Sequence, residues 1–248
     1  MQLILVLSST LLVDWYVLLK KLVVLSGAGM SAESGINTFR DADGLWEGHD
    51  VMQVASPEGW QADKALVLDF YNQRRRQLHQ VKPNKGHVAL ASLEQHFTVD
   101  IITQNVDDLH ERAGSSNVLH LHGELLKAQS TQDEYLVYDW QGDITLQDKC
   151  ELGSQLRPSI VWFGEMVPML EPAIALVEQA DVILIIGTSM QVYPAASLAS
   201  YARANIPIYY IDPKPAVNTA VSYLTNLTVI EKTAVEGVPK LIEQYLLD

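Results

Sequence analysis

Short, almost purely apolar runs recur along the chain with few polar interruptions. Six of them are rich in valine and isoleucine and show little alternation: residues 22–26, 100–103, 118–121, 160–163, 182–186 and 206–211. Strands that are covered on both faces, as in a parallel sheet, have this composition. The pattern therefore predicts six mainly parallel strands.

Helical patterns alternate with these strands. They run from Pro57 to about Leu78 and over residues 85–96, 171–179, 195–204 and 235–247. This alternation predicts an α/β fold with a doubly wound, mainly parallel, Rossmann-like sheet. Right-handed crossovers in such a sheet bring the carboxyl ends of the strands, and with them the ligand, to one edge.

Two stretches do not fit this alternation of strands and helices. Residues 39–81 are too long for a single crossover, and residues 124–157 are polar and rich in turns. We expect both to form a smaller second lobe of one domain, residues 21–248, whose core comprises residues 21–38, 82–123 and 158–248. A cleft between lobes is a favoured place for a small-molecule site. Residues 1–20 are expected to be an atypical apolar extension.

Composition and charge narrow the possible functions. The chain has 248 residues, 48% of them hydrophobic and 19% charged, which is typical of globular proteins. A formal net charge of −13 argues against nucleic-acid binding, because such a surface repels phosphates. The single cysteine, Cys150, excludes an internal disulfide and fits a reducing, cytoplasmic location. The apolar run before Asp14 is too short to span a membrane and is a poor signal peptide, so we expect no membrane partner.

Glycine turns follow two of the predicted strands. Gly27 and Gly29 come after the first strand, and Gly187 follows residues 182–186. Such glycines let backbone N–H groups approach a pyrophosphate, although the spacing is not that of the Rossmann motif and a plain tight turn is the alternative. Asp212 ends a third strand, where it would accept from ribose hydroxyls or simply begin the turn at Pro213. Together the three strand ends favour nucleotide binding. A P-loop is disfavoured because no lysine follows the glycines, and a nucleophile elbow is not found.

Five motifs then follow one another along the chain. They are GAGMSAESGINTFR (residues 27–40), TQNVDDLH (103–110), HLHGE (120–124), FGE (163–165) and GTS (187–189). From about Lys21 to its C-terminus the chain thereby resembles the sirtuin family. The resemblance implies an NAD-dependent protein-lysine deacylase, which consumes NAD as a co-substrate and releases nicotinamide and O-acyl-ADP-ribose. Its partners would be acylated lysine side chains of proteins.

The resemblance also implies roles for individual residues. The NAD-binding residues would be Gly27, Ala28, Gly29, Ser31, Ala32, Phe39, Arg40, Trp46, Gln104, Asn105, Asp107, Gly187, Thr188, Ser189, Asp212 and Ala234. Among them, Phe39 and Arg40 would lie on a loop that closes over the nicotinamide, with Trp46 at its far end. The substrate peptide would add as a strand to an edge formed by Val161, Phe163, Gly164 and Glu165.

His122 is the expected catalytic base, with Asn105 and Asp107 beside the nicotinamide pocket. An imidazole of near-neutral pKa suits general-base catalysis. His120 and His122 share one face if their segment is a strand, so a metal site is a second interpretation, but a third ligand at suitable spacing is lacking. A structural histidine is the third. The family resemblance assigns His122 to catalysis and His120 to packing or orientation.

A basic run on the predicted helix suggests which acyl groups are accepted. Tyr71 and Arg74 are three residues apart and therefore share a helix side, whereas Arg75 and Arg76 are expected on a solvated face. The Tyr-x-x-Arg pair resembles that of the sirtuins that accept succinyl and malonyl lysine. A guanidinium binds a carboxylate through charge-assisted hydrogen bonds, and a phenol adds another.

The chain departs from the family in one respect. Most sirtuins carry four zinc-binding cysteines between the His-Gly and Phe-Gly-Glu motifs, where this chain has Ser130 and only Cys150. One thiolate does not hold a tetrahedral zinc ion, so we predict no zinc. Packing would replace it, with candidates Tyr135, Val137, Tyr138 and Trp140.

Two other functions stay open at this point. Mono-ADP-ribosyl transfer could use the same activated ribose, and an NAD-binding regulator could have kept the fold and lost turnover. His122, Tyr71 and Arg74 favour deacylation over both.

Overall fold

The computed structural model describes residues 3–7, 13–17, 19–37, 45–216, 222, 224 and 226–246. Its main feature is a six-stranded parallel sheet. The strands are β3 (Lys21–Ser26), β6 (Thr98–Thr103), β7 (Val118–His120), β11 (Val182–Ile186), β12 (Ile208–Ile211) and β13 (Leu227–Ile230). Their order across the sheet is β13-β12-β11-β3-β6-β7, and all neighbours run parallel. The predicted fold class is confirmed.

Helices cover both faces of this sheet. α4 (Lys85–Ser92) and α7 (Ala234–Leu241) pack on the face that buries Leu22 and Val24. α6 (Leu170–Glu178) and a 3-10 helix, Ala195–Tyr201, pack on the face that buries Val23 and Leu25. Successive strand residues thus enter opposite cores, which is why β3 is apolar without alternation.

One predicted strand is wrong. Residues 160–163 do not join the parallel sheet, because the apolar run there begins at the end of β10 (Leu156–Ile160) and packs into the smaller lobe. In its place the sheet contains β13, which the pattern did not predict. β13 is an edge strand with Val229 exposed, so its sequence carries no continuous apolar run.

The smaller lobe has its own antiparallel sheet. β8 (Gly123–Ser130) lies between β9 (Val137–Asp139) and β10. Three helices pack nearby, α1 (Val51–Val54), α2 (Pro57–Ala62) and α3 (Lys64–Leu78). The single helix predicted from Pro57 is divided, since the side chain of Asp63 accepts from Leu66 N at 2.9 Å and begins α3. The predicted residue bounds of the two lobes stay predictions.

Packing of the smaller lobe agrees only partly with expectation. Ile144 and Leu156 are buried in its core, and Tyr138 and Trp140 pack against them. Tyr135 and Val137 do not, because they are 87% and 43% exposed. Residues 124–157 therefore contribute aliphatic side chains, which the polar character of the segment did not indicate, to a core that also contains aromatic residues such as Trp60 and Phe70.

The remaining elements are short. Two hairpins are β1 (Leu3–Leu7) with β2 (Val13–Val17), and β4 (Leu45–Trp46) with β5 (His49–Asp50). α5 (Leu109–Arg112) follows β6. Among the described residues, none of the helices has the length and apolar character needed to cross a membrane.

Candidate active site

Two glycine turns meet at the carboxyl ends of β3 and β11. Gly29 N donates to the carbonyl oxygen of Gly187 at 2.8 Å. A Cβ on Gly29 would lie 2.7 Å from the Cα of Gly187, and Gly187 has φ +61°. Larger residues would push the turns apart, so the glycines permit this close approach. Ala28 and Ala32 are half-buried beside the turns.

Polar side chains connect these turns to the end of β6. Ser31 Oγ donates to Asp107 Oδ2 at 2.9 Å and accepts from Asn105 Nδ2 at 3.1 Å. Burial raises the pKa of Asp107, although the bonds from Ser31 and from the backbone of Leu109 oppose the rise. Ser31, Asn105 and Asp107 are all buried. The structure thus brings these three predicted residues together in one network.

Gln104 is the residue that joins the two turns to the histidine strand. Its Nε2 donates to Thr188 Oγ1 at 3.1 Å, and its backbone N donates to Ser26 O at 2.9 Å. Its carbonyl oxygen lies 3.1 Å from His122 Nδ1. Gln104 therefore contacts both His122 and the edge of the sheet where the two glycine turns lie.

This contact fixes the tautomer of His122. A carbonyl oxygen only accepts, so Nδ1 carries the proton and Nε2 presents a lone pair. Burial lowers the pKa of His122, against the opposing effect of the Gln104 carbonyl. The ring is consequently neutral at pH 7 and has a nitrogen ready to accept a proton.

His120 is held in a different state. Its Nδ1 lies 3.0 Å from the carbonyl oxygen of Asn105, and its Nε2 lies 2.7 Å from Glu111 Oε1. Burial disfavours the charged ring, but the hydrogen bonds and the charge of Glu111 raise the pKa of His120 above its usual value. With both nitrogens donating, this ring offers no lone pair, which agrees with an orienting role.

The residues predicted for the adenosine half lie along β11, β12 and α7. Asp212 is 3% exposed, and its Oδ1 accepts from Lys214 N at 2.8 Å, which stabilises the turn at Pro213. Ala234 is buried at the start of α7, and Ser189 is half-buried after Thr188. Asp212 therefore makes the contact expected of a residue that begins a turn. It also lies at a strand end, where a ribose-binding carboxylate is expected.

The predicted peptide edge runs directly beside His122. Val161 N donates to the carbonyl oxygen of His122 at 2.9 Å, and Phe163 N donates to Ala55 O at 2.9 Å. Phe163 is exposed, and Gly164 has φ +91°. The carboxylate of Glu165 accepts from both terminal nitrogens of Arg157, at 2.8 and 3.0 Å. Glu165 thus stabilises the edge with its side chain.

Tyr71 and Arg74 lie on the inner side of α3. Tyr71 is fully buried, and its hydroxyl accepts from Trp162 Nε1 at 3.0 Å. In the part of the chain that the structure describes, that hydroxyl has no acceptor for its own proton. The Nε of Arg74 is likewise buried without a hydrogen-bond partner there. Two donors without acceptors are thus one helical turn apart.

The surroundings of Arg74 are mainly aromatic. Its guanidinium carbon lies 4.8 Å from the ring centroid of Phe70, and Trp46 packs edge-on against Phe70 at 4.9 Å. Burial lowers the pKa of Arg74, and the charges of Glu47 and Asp69 oppose this only from a distance. Phe39 and Arg40 lie outside the described residues.

The expectation that Arg75 lies on a solvated face of the helix is wrong. Its side chain is buried, and it donates to the carbonyl oxygen of Leu125 at 3.0 Å and to Asn72 Oδ1 at 2.8 Å. Arg76 does face solvent, where it pairs with Asp143 at 2.6 Å. Arg75 instead connects α3 to β8.

Sequence reasoning also overlooked Trp162 and Arg157. The guanidinium of Arg157 stacks on the ring of Trp162 at 3.9 Å. Alternation along an extended segment places residue 162 opposite 161 and 163, and this signal could have indicated that Trp162 faces the interior.

The residues where the family carries zinc do not fit that ion. Ser154 Oγ lies 2.8 Å from Ser130 Oγ and 3.1 Å from Cys150 Sγ. Over the described residues, no group of three or more His, Cys, Asp or Glu side chains is arranged to hold a metal. One thiol and two hydroxyls are poor zinc ligands, so a hydrogen-bonded trio occupies this position.

A cavity of about 660 Å³ lies in the smaller lobe and is bordered by Ser130, Arg157 and Trp162. It is lined by residues such as Trp60, Gln61 and Glu134, and Glu165 alone of the predicted site residues borders it. The chemistry at the carboxyl ends of the strands therefore identifies the candidate site better than cavity size does.

Comparison with known proteins places this site in a family. The Sir2 family model matches residues 27–194, and the chain belongs to the Sir2 family. An NAD-dependent protein deacylase of Helicobacter pylori is 62% identical over 229 residues, which is 91% of this chain and 99% of that protein. A protein of the same name from Bacteroides thetaiotaomicron is 56% identical, over 90% of this chain and 97% of its own length.

Solved structures agree with this family. A Sir2 homologue mutant in complex with ADP-ribose has a TM-score of 0.81 and 39% identity, covering 91% of both chains. A complex of a Sir2 homologue with NAD has a TM-score of 0.78 at 39% identity, over 91% of this chain and 89% of that one. A Sir2 complex with a p53 peptide and NAD has a TM-score of 0.73 and 30% identity, over 90% and 92%.

Proposed function

We propose that this protein is an NAD-dependent protein-lysine deacylase that removes acetyl groups and also acidic acyl groups such as succinyl and malonyl. The observation that carries the first part is the fixed tautomer of His122 beside the two glycine turns. The observation that carries the second is the pair of buried donors without acceptors, Tyr71 and Arg74.

The residues at the carboxyl ends of the strands fit NAD. The turns at Gly29 and Gly187 have the close backbone approach of a pyrophosphate cradle, and relatives of this fold are described in complex with NAD and ADP-ribose. Bound there, NAD would supply an electrophilic ribose carbon with nicotinamide as its leaving group and a ribose hydroxyl as the final acyl acceptor. The hydrogen-bonded set of Ser31, Asn105 and Asp107 orients the nicotinamide ribose.

His122 acts as the general base. Its Nδ1 proton is held by the Gln104 carbonyl, so the ring takes up a proton only at Nε2. A lowered pKa keeps that nitrogen unprotonated at neutral pH, which is the state a base needs. Because Val161 is hydrogen-bonded to the backbone of His122, a peptide strand that adds to this edge brings its lysine to the base.

Tyr71 and Arg74 recognise the far end of an acidic acyl chain. An acyl carboxylate would accept from the Tyr71 hydroxyl and from the Arg74 guanidinium, and so satisfy donors that are otherwise buried without partners. Burial raises the pKa of Tyr71 above its usual range, so the hydroxyl keeps its proton for this bond.

The proposed partners are acylated lysine side chains of proteins, in the cytoplasm. An acidic chain with a net charge of −13 suits lysine-rich peptides and disfavours nucleic acid. A structural relative described with a p53 peptide supports a protein substrate.

The test compares acetyl- and succinyl-lysine versions of one peptide with NAD, for the wild-type protein and for Arg74→Met. Loss of a buried charge-assisted bond should lower succinyl kcat/KM about 10- to 100-fold, and acetyl kcat/KM should change by less than about threefold. Arg76→Met is the matched control, because Arg76 is exposed on the same helix.

Mass spectrometry of the products tests the chemistry itself. O-acyl-ADP-ribose together with deacylated peptide supports deacylation. ADP-ribosylated protein without loss of the acyl group would contradict it, as would the absence of nicotinamide release with every acylated peptide. Equal loss of both activities in Arg74→Met would contradict the acyl preference alone.

A further inference from the structure

The indole of Trp162 connects the peptide edge to the acyl-recognising pair. Trp162 is 2% exposed, and it lies between Val161 and Phe163 in the chain. Its Nε1–H donates to the hydroxyl of Tyr71 across 91 residues of sequence. The side chain of Trp162 therefore connects the segment that would bind the backbone of the substrate peptide to α3, the helix that would contact the acyl group.

Three contacts, one of the backbone and two of the ring, fix the position of Trp162. The backbone N of Trp162 donates to Glu165 Oε2 at 2.8 Å, and Arg157 stacks on the ring face at 3.9 Å. Trp60 packs against the ring at 5.7 Å. Arg157 is itself fixed by its two bonds to Glu165. The Nε1–H donor consequently points in one direction, towards α3.

That direction determines where Tyr71 can donate. An indole N–H only donates, so it occupies an acceptor position of the Tyr71 oxygen and turns the hydroxyl proton elsewhere. Without this bond the phenol O–H could take either of its two orientations in the ring plane, and part of its population would point away from a bound carboxylate. Pre-orientation of this kind lowers the entropic cost of binding.

We infer that Trp162 is a positioning residue for acyl specificity, which orients the Tyr71 hydroxyl towards the carboxylate of succinyl- or malonyl-lysine. This inference rests on the proposed function of Tyr71 and Arg74. Trp162 would thereby contribute to the binding of acidic acyl groups. It would not contribute to the binding of acetyl-lysine, which lacks the carboxylate.

Trp162→Phe tests the inference, because it keeps an aromatic ring under Arg157 and deletes the N–H. We expect KM for the succinyl peptide to rise about three- to tenfold, while kcat and the acetyl kinetics stay within about twofold. In a Tyr71→Phe background, the same substitution should produce no further change in the succinyl-to-acetyl ratio, since the acceptor is already gone. A merely structural role of Trp162 would lower both activities together.

Replacement of Trp162 by β-(3-benzothienyl)alanine provides a second variant that preserves shape and removes only the donor. It applies if Trp162→Phe melts at a lower temperature than the wild type. A succinyl-to-acetyl ratio unchanged by this isostere, or a drop in ratio that persists in the Tyr71→Phe background, overturns the inference.

The outcome separates the two proposals. If Arg74→Met and Tyr71→Phe both leave the ratio unchanged, the acyl preference itself fails. If they lower the ratio and the Trp162 variants do not, only the inference about Trp162 fails.

Discussion

At the scale of single residues, His120 and His122 show how two neighbouring histidines acquire different chemistry. Both donate from Nδ1 to a backbone carbonyl oxygen, of Asn105 and Gln104 respectively. Only His120 has a carboxylate, Glu111, at its second nitrogen. The difference raises the pKa of His120 and leaves the pKa of His122 lowered by burial, which is why His122 fits a base better than His120 does.

A pH profile tests the assignment of His122. The base works when its ring is neutral, and burial places its pKa below the ordinary value of about 6.5. The kcat/KM for acetyl peptide should therefore be level from pH 8 to pH 7 and fall only below about pH 6.5. His122→Ala should reduce kcat/KM at least about 100-fold at every pH.

His79→Gln is the control for this profile, since His79 is exposed and its ring lies 2.8 Å from the carbonyl oxygen of Gln141, away from His122. It should reproduce the wild-type curve. An acid limb above pH 7 in the wild type, or near-normal turnover in His122→Ala, would remove His122 as the base.

At the scale of elements, the hydrogen-bonded trio of Ser130, Ser154 and Cys150 joins β8 to the loop before β10. Ser130 is 2% exposed, and its hydroxyl also accepts from the backbone N of Gln132 and of Asp133. Ser154 lies between Ser130 and Cys150, so it is the member whose loss breaks both side-chain contacts.

We expect Ser154→Ala to lower the free energy of unfolding by about 0.5–1.5 kcal/mol, because it deletes the hydrogen bond to the buried Ser130 hydroxyl, which keeps only its two backbone donors. Ser200→Ala, at an exposed serine, should be neutral to within about 0.5 kcal/mol. Urea titration measures both. Incubation with a strong chelator should leave the wild-type midpoint unchanged, and a chelator-induced drop would show that a metal contributes after all.

Elements also differ in how far the sequence predicts them. The strands that carry the glycine turns were predicted because burial on both faces makes them uniformly apolar. The same apolar signal misplaced residues 160–163, since burial in the smaller lobe leaves an identical pattern. Arg75 was misjudged because its partner, the carbonyl oxygen of Leu125, is brought near only by the fold. The pairing of Trp162 with Tyr71 depends on the same long-range packing.

At the scale of the whole molecule, two buried histidines link stability to pH. His87 and His110 are at most 1% exposed, and their rings are 4.9 Å apart. Burial lowers the pKa of His87 to about 4. Burial, with the charges of His87 and His120 adding to it, lowers the pKa of His110 to about 3. Protonation of either ring is thus disfavoured in the folded protein near neutral pH.

The sign of the effect follows from these pKa values. The unfolded chain binds protons at histidine near pH 6.5, above the folded values, so the histidine contribution is complete above about pH 6.5 and is lost as pH falls towards 4. Each histidine should contribute a slope of up to about 1.4 kcal/mol per pH unit in that window. Urea unfolding at pH 7.5, 6 and 5 measures the slope.

His87→Gln isolates the contribution of one ring. This variant should have a shallower dependence on pH than the wild type between pH 6.5 and 5, whereas His96→Gln, at an exposed histidine, should keep the wild-type slope. Parallel curves for His87→Gln and the wild type would show that the buried pair does not govern acid stability.

The location of α3 has a consequence for how the substrate preference of this protein can evolve. The groups proposed to sense the acyl tail are on a helix of the smaller lobe, whereas the base and the glycine turns belong to the edge of the large sheet. Neither Tyr71 nor Arg74 takes part in the Gln104–His122 contact or in the Gly29–Gly187 contact. Evolution can therefore change which acyl groups on lysine the protein accepts, while the catalysed reaction stays the same.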